Sequence, residues 1–201
     1  IWKYFDAGGD PPNDGSGKNW KELDFDDSAW GAGAAELGFG DRDPKQTTDI
    51  TRGAISFFFR HTLNVSASEL NTANQLVINL IRDDGAVVYI NGTEIRRDNM
   101  PGMIGDPVDA SDLALAAVAG SDEATAVRST HISSEVFVEG DNLIAVQVHQ
   151  NKAGSSDISF DLELIGSTGS SNTLSGFGLS PGINRVQVEA FAGPDGSGEL
   201  V

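Results

Sequence analysis

A chain of 201 residues, 39 % hydrophobic and only 21 % charged, suits one mid-sized globular domain and excludes a disordered chain. A net charge of −17 at pH 7 leaves no basic patch for phosphates, which excludes a nucleic-acid partner and disfavours docking on anionic lipid. With no cysteine there is no disulfide, thiolate zinc site or cysteine nucleophile, and 24 glycines point to many turns.

Period-two alternation dominates the chain. Ile1-Trp2-Lys3-Tyr4-Phe5 reads as a strand, so the native start is expected upstream; no signal peptide and no membrane span stands out. Ala7 to Lys18, rich in Gly, Asp and Pro, is a loop leading to Trp20. From Ile55 to Val65 the apolar Ile55, Phe57, Phe59, Leu63 and Val65 share one face, and Arg60, Thr62 and Asn64 the other. Leu76, Ile78 and Leu80 form a second stripe. Asp83-Asp84-Gly85 marks a turn or bulge, and Asn91-Gly92 between Val87–Ile90 and Thr93–Arg96 is the preferred pair of a type I′ hairpin. Asn99 to Asp109 is a loop, and Ser111 to Val118 is a short helix or a strand. Ile144, Val146 and Val148, then Ile158, Phe160, Leu162 and Leu164, give two more buried faces. Residues 1–166 therefore make one sandwich and 167–173 a linker by composition. Residues 174–201, with Pro181-Gly182 and alternating Val186, Val188 and Ala190, open a following module or add a strand to the first.

Five segments carry a family resemblance in the right order: Phe25-Asp26-Asp27-Ser28-Ala29-Trp30, Ala35–Asp41, Arg82–Gly92, Gly140–Gln150 and Ser155–Asp161. Together they resemble galactose-binding-like jelly rolls, including sugar-binding modules attached to secreted bacterial hydrolases, over about residues 1–166. The resemblance implies an all-β, antiparallel β-sandwich of jelly-roll type, often with a structural calcium and often a carbohydrate-binding role. Fold alone does not fix function, and many relatives of this architecture are spacers.

For calcium, which needs six to eight oxygen ligands, the candidates are Glu36, Asp41 and Asp43 in a glycine-bounded loop, with Asp157 and Asp161 near the last strand. A solvated acidic loop is the plain alternative. His149 lies opposite the Ile144 face; beside Gln150, Ser156 and Asp157 it can bond a sugar hydroxyl, or Asp157 can orient it structurally. Asp84 sits in turn chemistry, which explains it without catalysis. Arg60 and Arg82 stand out among few basic residues. Arg82 is expected at the core edge beside an aspartate, and a planar donor fork suits an acidic glycan. Sugar rings stack on aromatic platforms; Trp20 is the platform candidate, expected partly exposed, whereas Trp30 reads as core.

The expected ligand residues are thus Trp20, Arg60, Arg82, Asp84, His149 and Gln150. The expectation is a monomeric, non-catalytic carbohydrate-binding module of an extracellular bacterial multidomain protein. It would bind a polysaccharide or oligosaccharide, carry a calcium clip and be linked covalently to its neighbours. The alternative is a calcium-stabilised spacer or adhesion domain without a ligand.

Overall fold

Aromatic and β-branched residues at alternate positions favour extended backbone, because one face of each strand can then be buried against a second sheet. The computed structural model describes residues 1–40, 46–118, 126–168 and 174–176. Its strands are β1 (Trp2–Phe5), β2 (Gly31–Gly33), β3 (Leu37–Phe39), β4 (Thr48–Asp49), β5 (Ser56–Val65), β6 (Ala73–Arg82), β7 (Gly85–Ile90), β8 (Thr93–Asp98), β9 (Arg128–Ile132), β10 (Gly140–His149), β11 (Ile158–Thr168) and β12 (Leu174–Gly176). The first sheet has the order β2-β1-β5-β10-β7-β8, and the second β4-β3-β11-β6-β9 with β12 on β11. Neighbouring strands are antiparallel except β3 and β4.

The protein is an all-β sandwich, as the alternation predicts. Phe57, Phe59, Ile144 and Val146 of the first sheet meet Ile78, Leu80, Phe160 and Leu162 of the second in one buried cluster. Phe59 stacks on Phe160 with ring centroids 4.2 Å apart. Asn91 and Gly92 take φ of 49° and 80° and join β7 to β8, the backbone that the Asn-Gly pair is suited to. Ser111 to Val118 forms neither helix nor strand. One short helix went unforeseen, α1 (Ala67–Thr72), although Ser66 and Glu69 form a reciprocal capping box ahead of it. β11 continues through Ser167 and Thr168, where a linker is expected, and Leu174–Gly176 pairs with Ile165–Ser167. Val186, Val188 and Ala190 lie outside the described residues.

The first sheet is buried on both faces. Its outer side chains Phe58, Val87, Tyr89, Leu143 and Ala145 form a second core with Trp20, Phe25, Met100, Ala110 and Ala114, which come from two long loops. All of β7 is buried as a result. Gly85, read from sequence as part of a turn, is the first residue of β7, and a Cβ there would stand 2.7 Å from the Met100 sulfur and 2.9 Å from the Ala114 Cβ. The covering loop lies directly on the strand.

Arg60, a ligand candidate from the sequence, lies opposite the Phe57 and Phe59 face as alternation predicts, but under a loop. It is 2 % exposed, and its guanidinium projects into the covering loop. Nε donates to Asp27 Oδ2 at 2.8 Å, Nη1 to the carbonyls of Trp20 and Glu22, and Nη2 to those of Leu23 and Phe25. The cation also lies 5.0 Å from the Phe25 ring centroid. A tight loop turns its carbonyls inward, and each buried carbonyl needs a donor; one planar fork supplies several. The same loop is tied at Asp14, whose carboxylate accepts from the Asp26 amide, the Ser16 hydroxyl and amide, and the Lys18 amide. Those bonds, the Asp26 amide foremost, hold its carboxyl well below the ordinary range.

Arg60→Met should therefore destabilise the domain by about 3–5 kcal/mol, because Asp27 and the inward carbonyls lose their donor. Arg60→Lys should recover only a small part of that, since an ammonium lacks the planar fork. Urea unfolding midpoints of the three proteins measure both effects.

Candidate functional site

Trp20, the platform candidate, is 4 % exposed, so the partial exposure expected of it is not observed. Its ring packs edge-on against Phe58 at 5.0 Å and Tyr89 at 5.7 Å. Trp2 and Phe39 are equally buried, and Tyr4 and Trp30 are half-buried. Among the described residues no Phe, Trp or Tyr ring is exposed. Of the exposed large apolar side chains among the described residues, Met103, Ile104, Leu113 and Leu115 stand on the loop after β8, Val127 immediately precedes β9, and Ile1, Leu23 and Val138 lie elsewhere.

Asp84, His149 and Gln150 come together at one end of the first sheet. The Asp84 carboxylate accepts from the Val118 and Asn151 amides, both at 2.7 Å, and so ties two loops to the sheet end. His149 is fully buried and directly opposite Ser56 in the β5–β10 register. Its Nδ1 lies 2.8 Å from the Asp112 carbonyl, which assigns the proton to Nδ1. Burial, the main cause, lowers its pKa despite that bond. Asp157 does not orient this ring; its carboxylate accepts from the Ser156 and Ser155 hydroxyls instead. The Gln150 carbonyl oxygen accepts from the Ser155 amide. His149 Nε2 and Gln150 Nε2 have no hydrogen-bond partner, but the side chains of Asp84, His149 and Gln150 are all buried and out of reach of a polysaccharide.

The calcium candidates fall in two places. Asp41 and Asp43 lie outside the described residues. Continuing the β3–β11 register sets Glu36 beside Asp161 on the face turned away from the core, while Asp157 precedes β11. Among the described residues no three His, Asp or Glu side chains form a group that could hold a metal ion. Asp161 has a different character. Burial pushes its carboxyl up to about 6, the Leu162 amide opposes this, and Glu163 adds to it.

Arg82 leads to a cluster that sequence reasoning only touched. β8 and β9 are the free edges of the two sheets. Between them Asp98 Oδ1 accepts from Arg82 Nε at 2.9 Å and from Arg82 Nη2, and Oδ2 accepts from Arg96 Nη2. Arg128 Nε is 3.7 Å from the same carboxylate. Arg96 Nη1 also donates to the Arg128 carbonyl at 2.8 Å and to the Thr130 hydroxyl, which laces one sheet edge to the other. Burial resists ionisation of Asp98, but Arg82 and Arg96 outweigh it and hold its carboxyl below the ordinary range. Arg82 itself is lowered, chiefly by burial, with Arg128 and Arg96 adding repulsion. The predicted strand Thr93–Arg96 runs on to Asp98, and alternation along it separates Arg97 from Arg96 and Asp98. Arg97 indeed turns elsewhere, gripping Glu94 through two bonds and the carbonyls of Pro101 and Asp106.

No family model matches the chain, and no curated protein matches it. Among solved structures it is similar to beta-glucuronidase 2 of Bacteroides uniformis, at 15 % identity and a TM-score of 0.44 over 81 % of this chain and 17 % of that one. A glycoside hydrolase family 2 member from Bacteroides cellulosilyticus gives 10 % identity and 0.39, over 81 % and 20 %. Beta-D-mannosidase from Dictyoglomus thermophilum gives 14 % and 0.31, over 47 % and 9 %. The chain thus spans a fifth or less of the glycoside hydrolases it resembles. Overlaps this loose leave fold and function to rest on the chain's own residues. Among the described residues no helix is long and apolar enough to cross a membrane.

The Asp161 shift has a definite sign. A carboxyl raised above its unfolded value binds more protons in the folded state, so stability falls as pH rises from about 4 to about 6 and stays lower above that. Asp161→Asn should stabilise the domain at pH 7, by something on the order of 3 kcal/mol, and should be nearly neutral at pH 4. Melting temperatures of both proteins across that range check the sign.

Proposed function

We propose that this domain is a non-catalytic accessory module of a larger protein and acts chiefly as a packing or spacing unit. The observation that carries this reading is the fate of the aromatic rings. Every Phe, Trp and Tyr ring among the described residues is buried or half-buried, and the outer face of the first sheet, a natural place for a sugar platform, is roofed by the chain's own loops. Of the two readings open at the sequence, an absent aromatic platform supports the spacer over the stacking-type carbohydrate module. The residues with perturbed pKa support the same view. His149 is enclosed, and Asp98 is neutralised by arginines, so neither converges with a second group on an open cleft.

A second reading, contact with a glycan through charged groups, is favoured by one observation: the arginines gathered at the β8–β9 edge. It places recognition on the sandwich edge and needs no aromatic platform.

Affinity electrophoresis through gels of neutral and acidic polysaccharides tests the proposal. No retardation by neutral polysaccharides and no release of reducing ends are expected. Trp20→Ala should lower stability by about 3–5 kcal/mol, as loss of a core tryptophan does. A neutral polysaccharide that retards the wild type but not a still-folded Trp20 variant would overturn the reading.

A further inference from the structure

Arg82, Arg96 and Arg128 share one carboxylate, Asp98, so three fixed cations meet a single anion in a chain whose net charge is −17. The balance is local and unusual. Of the 13 Lys and Arg in the chain, these three occupy one edge. Arg82 Nη1 is buried and has no hydrogen-bond partner, although the residue is only 4 % exposed. His149 Nε2 and Gln150 Nε2 are also buried without a partner, but Arg82 Nη1 belongs to a charged fork beside a single carboxylate, where an unmade bond costs more. The group is still reachable from solvent: the side chains of Arg128 and Asp98 are 25 % and 17 % exposed.

We propose that this inter-sheet edge is an anion site that takes the carboxylate of a ligand beside Asp98, between the guanidiniums of Arg82 and Arg128. Planar forks fit a carboxylate through two parallel bonds, and Arg82 already places two donors, Nε and Nη2, on one carboxylate oxygen, Asp98 Oδ1. The overall negative charge does not forbid this. Repulsion from distant carboxylates is screened over about 8 Å at physiological salt, whereas the arginines act at contact. The inference deepens the second reading above, by naming the group recognised; the accessory role needs no ligand and survives its failure.

Calorimetric titration of the 201-residue chain with galacturonate, acetate and galactose tests it. Saturable binding of the two carboxylates and none of galactose is expected. Galacturonate tighter than acetate identifies a sugar acid as the source of the group, and equal affinity identifies a small free carboxylate. Arg128→Gln, at the most exposed of the three arginines, should weaken binding about tenfold without unfolding the domain. Asp98→Asn should act in the opposite direction: anion affinity rises, and its melting temperature climbs with acetate more than that of the wild type. A clamp with no ligand predicts neither response. Carboxylate binding unchanged in Arg128→Gln, or no anion response in either the wild type or Asp98→Asn, would overturn the proposal.

Discussion

The burial of Arg60 under the loop from Trp20 to Asp27 is the interaction on which the rest of the structure depends. A sandwich sheet ordinarily presents one apolar face to its partner sheet and one polar face to water. Here the outer face of the first sheet is apolar too, with Phe58, Val87, Tyr89, Leu143 and Ala145, and needs a cover. The cover is made of loops, and loops bring main-chain carbonyls that a dry interface cannot leave unbonded. Arg60 resolves this by satisfying the carbonyls of Trp20, Glu22, Leu23 and Phe25 from the sheet side, while Asp27 balances its charge. With the loop fixed, Trp20 and Phe25 complete the second core.

Covering that face decides where the molecule can meet anything else. A roofed sheet has no concave platform, so contact is left to the loops, the second sheet's outer face and the edges. At the β8–β9 edge the two sheets are held together by charge instead of apolar packing, through Arg96 reaching the Arg128 carbonyl and the Thr130 hydroxyl. The loop after β8 is anchored on its other side by Arg97, whose guanidinium ties Glu94 to the carbonyls of Pro101 and Asp106. Two adjacent arginines on one strand thus serve two different layers, because alternation sends them to opposite faces.

Much of the sandwich was legible because its signal is local. The stripes through Phe57 and Phe59, Ile78 and Leu80, Ile144 and Val146, and Phe160 and Leu162 each mark a strand in the inter-sheet core. The Asn91-Gly92 hairpin follows from backbone chemistry alone. Alternation puts Arg60 on the correct face, opposite Phe57 and Phe59, but it carries no signal that this face, and Trp20 with it, is buried under a loop. Nothing between Ala7 and Trp30 announces that this stretch folds back over β5. The partners of Asp84 and His149, the Val118 and Asn151 amides and the Asp112 carbonyl, lie far away in sequence and donate or accept through backbone. Backbone partners leave no trace in residue type. The arginine cluster is legible only once β8 and β9 are known to be edges of different sheets.

Asp98 and Asp161 show what the scarcity of cations imposes. Both carboxyls are largely withdrawn from water, and burial pushes both upward. They end on opposite sides of the ordinary carboxylate value because arginines reach only one of them. Asp98 receives Arg82 and Arg96, whereas Asp161 meets, besides its burial, the Leu162 amide and a second carboxylate, Glu163. In a chain with 30 acidic and 13 basic residues, most carboxylates must rely on water, amides or hydroxyls, as Asp14 and Asp157 do. Three arginines converging on one aspartate therefore stand against the composition of the whole chain. Holding the sheets together requires only the bonds that cross between them. The surplus positive charge, with its unbonded Arg82 donor, exceeds that structural need, and the excess is what gives the edge a capacity for anions.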